Sequence, residues 1–495
     1  MNIKKILLDK DSYKFYLIFA VLVGVFLRFY GLGIQSFWFD EIGTVGLATY
    51  PNLKRFFSFL LAADVHPPLY HIFTYYWVKL FGVSEISLRI ISAIAGSLAL
   101  IPAYFISRNV FNKYIASSVT ILMALSATAI YYSQEARSYA LVLFLSSILT
   151  LLWLKMIKKL NSAEISRTEL LIYGIIAVIT AYTHYFGTAL VFFQLIYLIF
   201  ISFNMRRRIR GFILISFLAA IMFLPWFTLH MMFLKSTFGG SFWIKKQGLS
   251  FYIGLINFVF NKYLIWLIFI PFILNKKLFI QNLSQKWEDK EFSSLISALL
   301  YLVIVPVIVF SLISLHTPVL IERYFMILLP ASYLLMVLMV HLNPDFSEIK
   351  GNIYILIFAL IGTIIFLFPP DIKNMKINSY YQPHKQDWRQ ASKYIADNYS
   401  DNSVILVTKY PRVYRYYFEK SFKDKSKILI NNCNISSYSE DRKIYDKAFF
   451  AMEKELDLGT IRQLGKDGFK YNERKFIGGL FIYECTFSKQ IQEYH

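Results

Sequence analysis

Two acids stand side by side, Asp40 and Glu41, in the stretch QSFWFDEIGTVGL (residues 35–47), directly after the first long apolar segment. Carboxylates at the edge of a membrane are costly to place. One of them can act there as a general base on an acceptor hydroxyl or amine. The competing reading is structural, because acids in the first turn of a helix are favoured by its macrodipole. The next chemically suggestive string is DVHPPLYH (64–71), with His66 and His71. Five residues is a poor spacing for one helical face, and no HExxH string occurs, so these two histidines alone do not make a zinc site. His66 reads better as a hydrogen-bonding or metal-assisting group beside the acid pair. Pro67 and Pro68 fit a sharp turn that opens a helix.

Further along come Arg137 beside Glu135 in YSQEARSYAL (132–141), His184 in THYFG (183–187), and Arg323 with Tyr324 in ERYFMILLP (322–330). Each arginine sits at the mouth of an apolar segment. Its planar fork suits a phosphate and stays charged at membrane depth. Each can equally be an interfacial anchor, or pair with its neighbour Glu135 or Glu322. His184 is either a site residue or a satisfied polar contact, and Arg89 reads as structural. No Gly-rich phosphate loop follows a strand, so nothing suggests a nucleotide site.

These residues need a scaffold, and composition names its class. The chain has 495 residues, 57% of them hydrophobic and 18% aromatic, with a mean hydropathy of +0.49. Soluble domains are about 45–50% apolar, so this is a polytopic membrane protein. The net charge of +21 is not a nucleic-acid footprint. The Lys and Arg fall in short clusters between apolar segments, the positive-inside pattern. No cleavable signal peptide is evident, since the apolar run after Lys14 is long enough to span.

Spans of about twenty apolar residues are expected at 13–34, 86–107, 114–131, 138–157, 170–185, 188–203, 209–231, 251–274, 295–315, 319–341 and 353–368. That is about eleven transmembrane helices. Basic residues mark the N-terminus and every second loop as cytoplasmic. The alternate loops, with Asp40, Glu41, Arg137, His184 and Arg323, then face outward. The first of these, 35–85, is long enough for interfacial helices at 43–50, 53–63 and 69–81. From 371 the composition turns polar. A capped helix at 387–398, a strand at 403–408, a helix at 411–418, a short strand at 427–430 and a strand or hairpin at 476–487 make a small α/β domain. The expected division is a transmembrane catalytic domain at 1–370 and an extracytoplasmic α/β domain at 371–495. Cys433 and Cys485 both fall in the latter, where a disulfide is permitted.

Six strings carry a family resemblance: WFDEIGT, DVHPPLYH, LRIISAIAGSLALIPAYFISR (88–108), YSQEARSYAL, THYFG and RYFMILLP. In this order they resemble the bacterial members of the dolichyl-phosphate-mannose protein mannosyltransferase-like group, GT-C fold glycosyltransferases related to the lipid A aminoarabinose transferases. DVHPPL is the most specific of them. The start of the C-terminal domain, DWRQASKYI, resembles the small outer domain of many of these enzymes.

The resemblance implies an inverting transfer of a monosaccharide from a polyprenyl-phosphate sugar to an extracytoplasmic glycolipid, glycan or protein acceptor at the bilayer surface. Asp40 matches the family's catalytic acid, Glu41 supports it, and His66 lies in the loop that closes the site. Glu135, Arg137, His184, Arg323 and Tyr324 are assigned to the donor and its phosphate. No cofactor is required by the residues. Metal dependence varies in the group; if a divalent ion is present, Glu41 and His66 are its candidate ligands. One departure stands out. The aminoarabinose transferases carry an acid and a lysine before the proline, whereas His66 precedes Pro67 here. Another group must then supply the charge that holds the phosphate. The rival reading from another class is a transporter or flippase of a lipid-linked sugar, which would use the same charges without chemistry. It should show polar residues at mid-membrane and repeated halves, and the sequence has neither.

Overall fold

The computed structural model describes residues 9–160, 165–203, 209–238, 244–260, 266–371, 376–377, 380, 386–400, 403–407, 411–421, 430–432, 447–452, 462, 469–477 and 480–487. These form two compact units. One holds Met1–Leu32 with Gly46–Pro370, the other Gly33–Val45 with Asp371–His495.

The first unit is helical. Among its described residues, eight helices are long and apolar enough to cross a membrane: Ser12–Phe29, Glu85–Val110, Tyr139–Leu160, Tyr185–Phe203, Arg210–Phe233, Lys290–Ser314, Glu322–His341 and Glu348–Leu367. A ninth is a bent pair, Lys113–Ala124 with Ala127–Ser133, which turns by 53° at its break. This is a multi-pass membrane protein. Two of the eleven expected spans take other forms. Arg167–Ala181 has only 15 residues, about 22 Å of helix. The segment expected at 251–274 holds Leu249–Phe260 and Trp266–Leu274, and residues 261–265 lie outside the described ones.

Short polar residues set the helix starts. Asn52, Ser84, Asn112, Ser126 and Asp289 each accept a backbone N–H from the first turn of the helix they precede, which satisfies an orphan donor. Ser166 and Glu169 make a reciprocal capping box. The first outer loop supplies Leu53–Ala63 and Leu69–Phe81 as expected. Its first helix runs Phe39–Ala48 rather than 43–50. The earlier start follows from the acid pair, which falls in the favoured first turn. Glu41 reaches back so that its Oε2 accepts the Trp38 N–H at 3.2 Å.

The break in the bent pair has a specific cause. Arg28, fully buried at the end of the first span, donates from Nη1 to the carbonyls of Gly24 (2.8 Å) and Ala124 (2.7 Å), and from Nη2 to that of Met123 (3.0 Å). A cation thus caps the negative end of the first half-helix. Ser126 starts the second half, and its hydroxyl also meets Tyr333 Oη at 2.7 Å. Gly24 and Gly96 allow the close packing: a Cβ on Gly24 would overlap the Ala124 carbonyl, and one on Gly96 the Ser133 hydroxyl.

The second unit is built on a five-stranded sheet. In chain order the strands are β1 (Ser403–Val407), β2 (Ile430–Asn432), β3 (Lys447–Met452), β4 (Phe469–Ile477) and β5 (Leu480–Phe487). Their spatial order is β2-β1-β3-β5-β4. β1 pairs in parallel with β2 and β3, β3 runs antiparallel to β5, and β4–β5 is an antiparallel pair. The helices are Trp388–Asn398, capped by Asp387, and Pro411–Ser421. β3, KAFFAM, goes beyond the strands expected from sequence. It carries too few residues to show alternation, and it lies at the sheet centre with Phe449 and Phe450 buried. Cys485 is buried on β5; Cys433 lies outside the described residues, as do 427–429 of the expected strand.

This unit also takes residues 33–45. The Phe37 N–H donates to Tyr417 Oη at 2.6 Å, and the buried Phe37 ring meets Tyr416 edge-on at 5.7 Å. Ser36 Oγ donates to the Gln386 carbonyl and accepts the Trp388 N–H. Arg389 donates to the Gly33 carbonyl.

Arg28→Met should lower stability by about 3 kcal/mol, because three charge-assisted hydrogen bonds disappear and two helix-end carbonyls stay buried. Thermal unfolding of the detergent-solubilised protein measures this. Gly24→Ala should shift the midpoint in the same direction.

Candidate active site

In the helical unit, four separated stretches bring polar side chains to one place. The first is the turn between Leu53–Ala63 and Leu69–Phe81. Asp64 organises it: its Oδ1 accepts the His66 N–H at 2.8 Å and the His66 Nδ1–H at 2.9 Å. Its Oδ2 lies 3.5 Å from His71 Nε2, on the first turn of the next helix. His66 and His71 are both buried. Pro67 and Pro68 open that helix, and the Leu69 N–H donates to the Tyr182 carbonyl at 3.0 Å.

The second stretch is the connection after the bent helix pair, where Glu135 and Arg137 are buried. Arg137 Nη2 lies 3.2 Å from His66 Nδ1 and 3.4 Å from Nε2. Since Nδ1–H donates to Asp64, Nε2 is the nitrogen whose lone pair faces the guanidinium. The Arg137 carbonyl accepts from Ser92 at 3.1 Å.

The third stretch carries His184. Its Nδ1 accepts the Phe186 N–H at 3.1 Å, so its proton is on Nε2, which is buried without a hydrogen-bond partner. The ring sits 5.1 Å from that of His66, 5.9 Å from Tyr139 and 5.2 Å from Tyr324. The fourth stretch supplies that Tyr324, and Arg323, whose guanidinium stands 5.6 Å from the Tyr139 ring.

A fifth residue holds the turn from outside. His230 donates from Nε2 to the Asp64 carbonyl at 2.7 Å, and its Nδ1 accepts from the Tyr185 hydroxyl.

The electrostatics follow from burial and neighbours. Burial alone would raise the Asp64 carboxyl, but His71 and His66 outweigh it and hold the group well below its usual range. Burial, then the Arg137 charge, push His66 down to about 4, so the ring is neutral near pH 7. His184 is driven well below the ordinary histidine value by burial, with His66, Arg137 and Arg323 adding to it. The cluster therefore offers a carboxylate, neutral imidazoles and fixed guanidinium charge, a set suited to gripping an anion.

Sequence reasoning singled out His66, Arg137, His184, Arg323 and Tyr324, and the fold brings these five together. It set His71 aside on the helical-spacing argument. That argument does not apply, because His66 lies in the turn and only His71 is on the helix. Asp64, between them in space, completes a group whose ligand atoms all lie within 4.8 Å of one another. An Asp-x-His string ahead of a Pro-Pro turn is the signal that could have found it. His230, 166 residues from its partner, left no such signal. Asp40 and Glu41 belong to the other unit. There Glu41 is buried and Asp40 half-buried.

Comparison with known proteins follows the same lines. Residues 65–229 match the family model described as dolichyl-phosphate-mannose-protein mannosyltransferase. ArnT from Cupriavidus metallidurans in the apo state superposes with a TM-score of 0.61 at 12% identity, over 96% of this chain and 98% of that one. The fold is GT-C and mannosyltransferase-like. ArnT bound to undecaprenyl phosphate matches at a TM-score of 0.59 and 13% identity, over 95% and 98% of the two chains. The archaeal oligosaccharyltransferase AglB from Archaeoglobus fulgidus, in complex with an inhibitory peptide and a dolichol-phosphate, matches at 0.51 and 13%, over 97% and 75%. Comparison with curated protein sequences finds no match. The GT-C fold bears out the expected class, a polytopic helical protein with a small C-terminal α/β region. The segment that matches the family model contains three of the five converging residues, His66, Arg137 and His184, with Arg323 and Tyr324 beyond its end.

Loss of the His230 anchor should loosen the turn without touching Arg137. In His230→Phe, hydrogen exchange at the backbone amides of His66 and Leu69 should speed up by about tenfold, the equivalent of ~1.4 kcal/mol.

Proposed function

We propose that this GT-C chain is an inverting glycosyltransferase. It moves a monosaccharide from a polyprenyl-phosphate sugar to an acceptor on the extracytoplasmic face. The observation that carries the reading is the convergence of Arg137 on the Asp64–His66 pair, beside His184, Arg323 and Tyr324, in a fold shared with a protein solved with undecaprenyl phosphate. These groups hold the donor's phosphate. The acceptor oxygen or nitrogen attacks the anomeric carbon from the face opposite the phosphate. The bond from that carbon to the phosphate oxygen breaks, and polyprenyl phosphate leaves with the electron pair. Asp40 takes the acceptor's proton.

Asp40 is the better base of the acid pair. Glu41 is fully buried and closes its own helix start on the Trp38 N–H, a positioning task. The leaving phosphate gains negative charge as the bond breaks, and fixed guanidinium groups in a dry site stabilise that charge most where it develops. A cleft of about 310 Å³ begins at Leu69, just past the Pro-Pro turn, and is lined by Phe73, Trp77, Ile94, Leu98 and Phe144 among others. It suits the apolar chain of the donor. Basic loops set the orientation, with the N-terminus cytoplasmic and the α/β domain at 371–495 outside, where it helps to bind or shield the acceptor.

Purified protein given labelled polyprenyl-phosphate sugar should release polyprenyl phosphate only when acceptor is present. Asp40→Asn should keep its thermal midpoint and lose about 10²–10⁴ in kcat. Transfer at the parental rate by that variant would remove Asp40 from the role of base. Movement of the intact lipid-linked sugar across vesicles, with none cleaved, would favour a flippase instead. Ile94→Asp should raise KM for the lipid donor by about tenfold with little change in kcat, the pattern of lost uniform binding.

A further inference from the structure

We propose that the helix Lys276–Trp287 binds anionic phospholipid at the bilayer surface, at the end of the bundle away from the candidate active site. Its lysines hold the headgroup phosphates, while Ile280 and Trp287 enter the acyl boundary. This stands independently of the glycosyl-transfer reading.

The helix, KKLFIQNLSQKW, lies between Trp266–Leu274 and the span Lys290–Ser314. Its 12 residues make about 18 Å of helix, too short to cross a bilayer. It is nevertheless fixed to the bundle. Phe279 is buried and meets Phe272 edge-on at 5.4 Å. Asn282 Nδ2 donates to the Leu342 carbonyl at 3.1 Å. Leu342 directly follows the span Glu322–His341, whose other end carries Arg323 and Tyr324. That span rises about 30 Å, the thickness of a hydrocarbon core. The helix therefore lies about one bilayer thickness from Arg323.

Away from Phe279 and Asn282 the helix presents an amphipathic face. Lys276, Ile280 and Trp287 fall on one stripe, since steps of four and seven residues return to the same side of a helix. Lys277 stands about a quarter-turn beside it. All four are exposed, Ile280 by 48% and Trp287 by 44%. Ile273 and Leu274, at the end of the preceding helix, are exposed as well. An apolar edge with an indole, next to lysines whose stems reach outward, is the make-up of a helix that lies in the interface.

Charge selects the lipid. Lys286 and Lys290 are exposed at the far end of the helix. The nearby acids are engaged elsewhere: Asp289 caps the next helix through the Glu291 N–H, and Glu291 pairs with Lys158 at 2.7 Å. Among the described residues, none of Lys276, Lys277, Lys286 and Lys290 pairs with an acid, and Glu288 alone offsets them. Each lysine held near an anionic surface favours association by roughly fivefold. A zwitterionic lipid offers no net charge to attract them. The positive-inside rule asks only that basic residues lie in the loop; it does not align them with an indole on a helix tied to the bundle.

Protein reconstituted in discs of mixed phosphatidylcholine and phosphatidylglycerol gives the test. Trp287 emission is the difference between wild type and Trp287→Phe. Brominated phosphatidylglycerol should quench it about fivefold more strongly than brominated phosphatidylcholine at the same fraction, and added salt should shrink that preference. Combined Lys276→Gln, Lys277→Gln and Lys286→Gln should remove the preference and keep the thermal midpoint in phosphatidylcholine discs. As a readout that needs no variant, phosphatidylglycerol should shield Lys276 and Lys277 from an amine-reactive label, read by mass spectrometry, and inorganic phosphate should not. Equal quenching by the two lipids in wild type overturns the proposal. So does a preference that survives the triple variant, or equal shielding by free phosphate.

Discussion

Much of the helical unit depends on one buried cation. Arg28 stands at the end of the first span and binds the last carbonyls of the half-helix Lys113–Ala124. Burying a guanidinium is costly unless its donors are met by acceptors, and the open end of a helix offers them already oriented. The break between the two half-helices is thereby a stable feature. Gln134, just past the second half, donates to the carbonyls of Leu27 and Tyr30 at the same span's end. The short connection to Tyr139–Leu160 is thus held on both sides, and that connection carries Glu135 and Arg137. The guanidinium that meets His66 is positioned by a different guanidinium some distance back in the chain.

The turn at 64–68 illustrates how little regular structure a site needs. It makes few backbone bonds of its own. It is held by the Asp64 side chain from within, by His230 on the Asp64 carbonyl, and by the Tyr182 carbonyl on the Leu69 N–H. Tyr182 stands at a helix end and His230 within the helix Ile209–Phe238. Rigid elements thus fix a loop whose side chains remain available for binding.

Much of this was legible in the sequence. Long apolar runs and alternating basic clusters declare spans, because the bilayer imposes a length and a charge rule that local composition records. The strings around His66, Arg137, His184 and Arg323 were readable because reactive residues stood in short aromatic loops. What composition does not record is pairing at a distance. Nothing local to Arg28 points to carbonyls 95 and 96 residues away. His71 was discounted by a periodicity argument that holds only when both residues share a helix. Strand β3 had no alternation to betray it, being central in its sheet. Residues 33–45 carry no mark that they belong with a domain starting some 330 positions later.

That last association has a consequence for biosynthesis. A chain is made from its N-terminus, and segments fold as their partners appear. Phe37 and Ser36 leave the ribosome early, but Gln386, Trp388 and Tyr417, which hold them, are among the later parts to be made. The segment bearing Asp40 therefore precedes these later contacts while the membrane helices are inserted one after another. That segment reaches its final setting only when the helices Trp388–Asn398 and Pro411–Ser421 have been made. A ribosome stalled before Tyr417 emerges would leave behind an inserted chain in which Ser36 and Phe37 have yet to meet the residues that hold them.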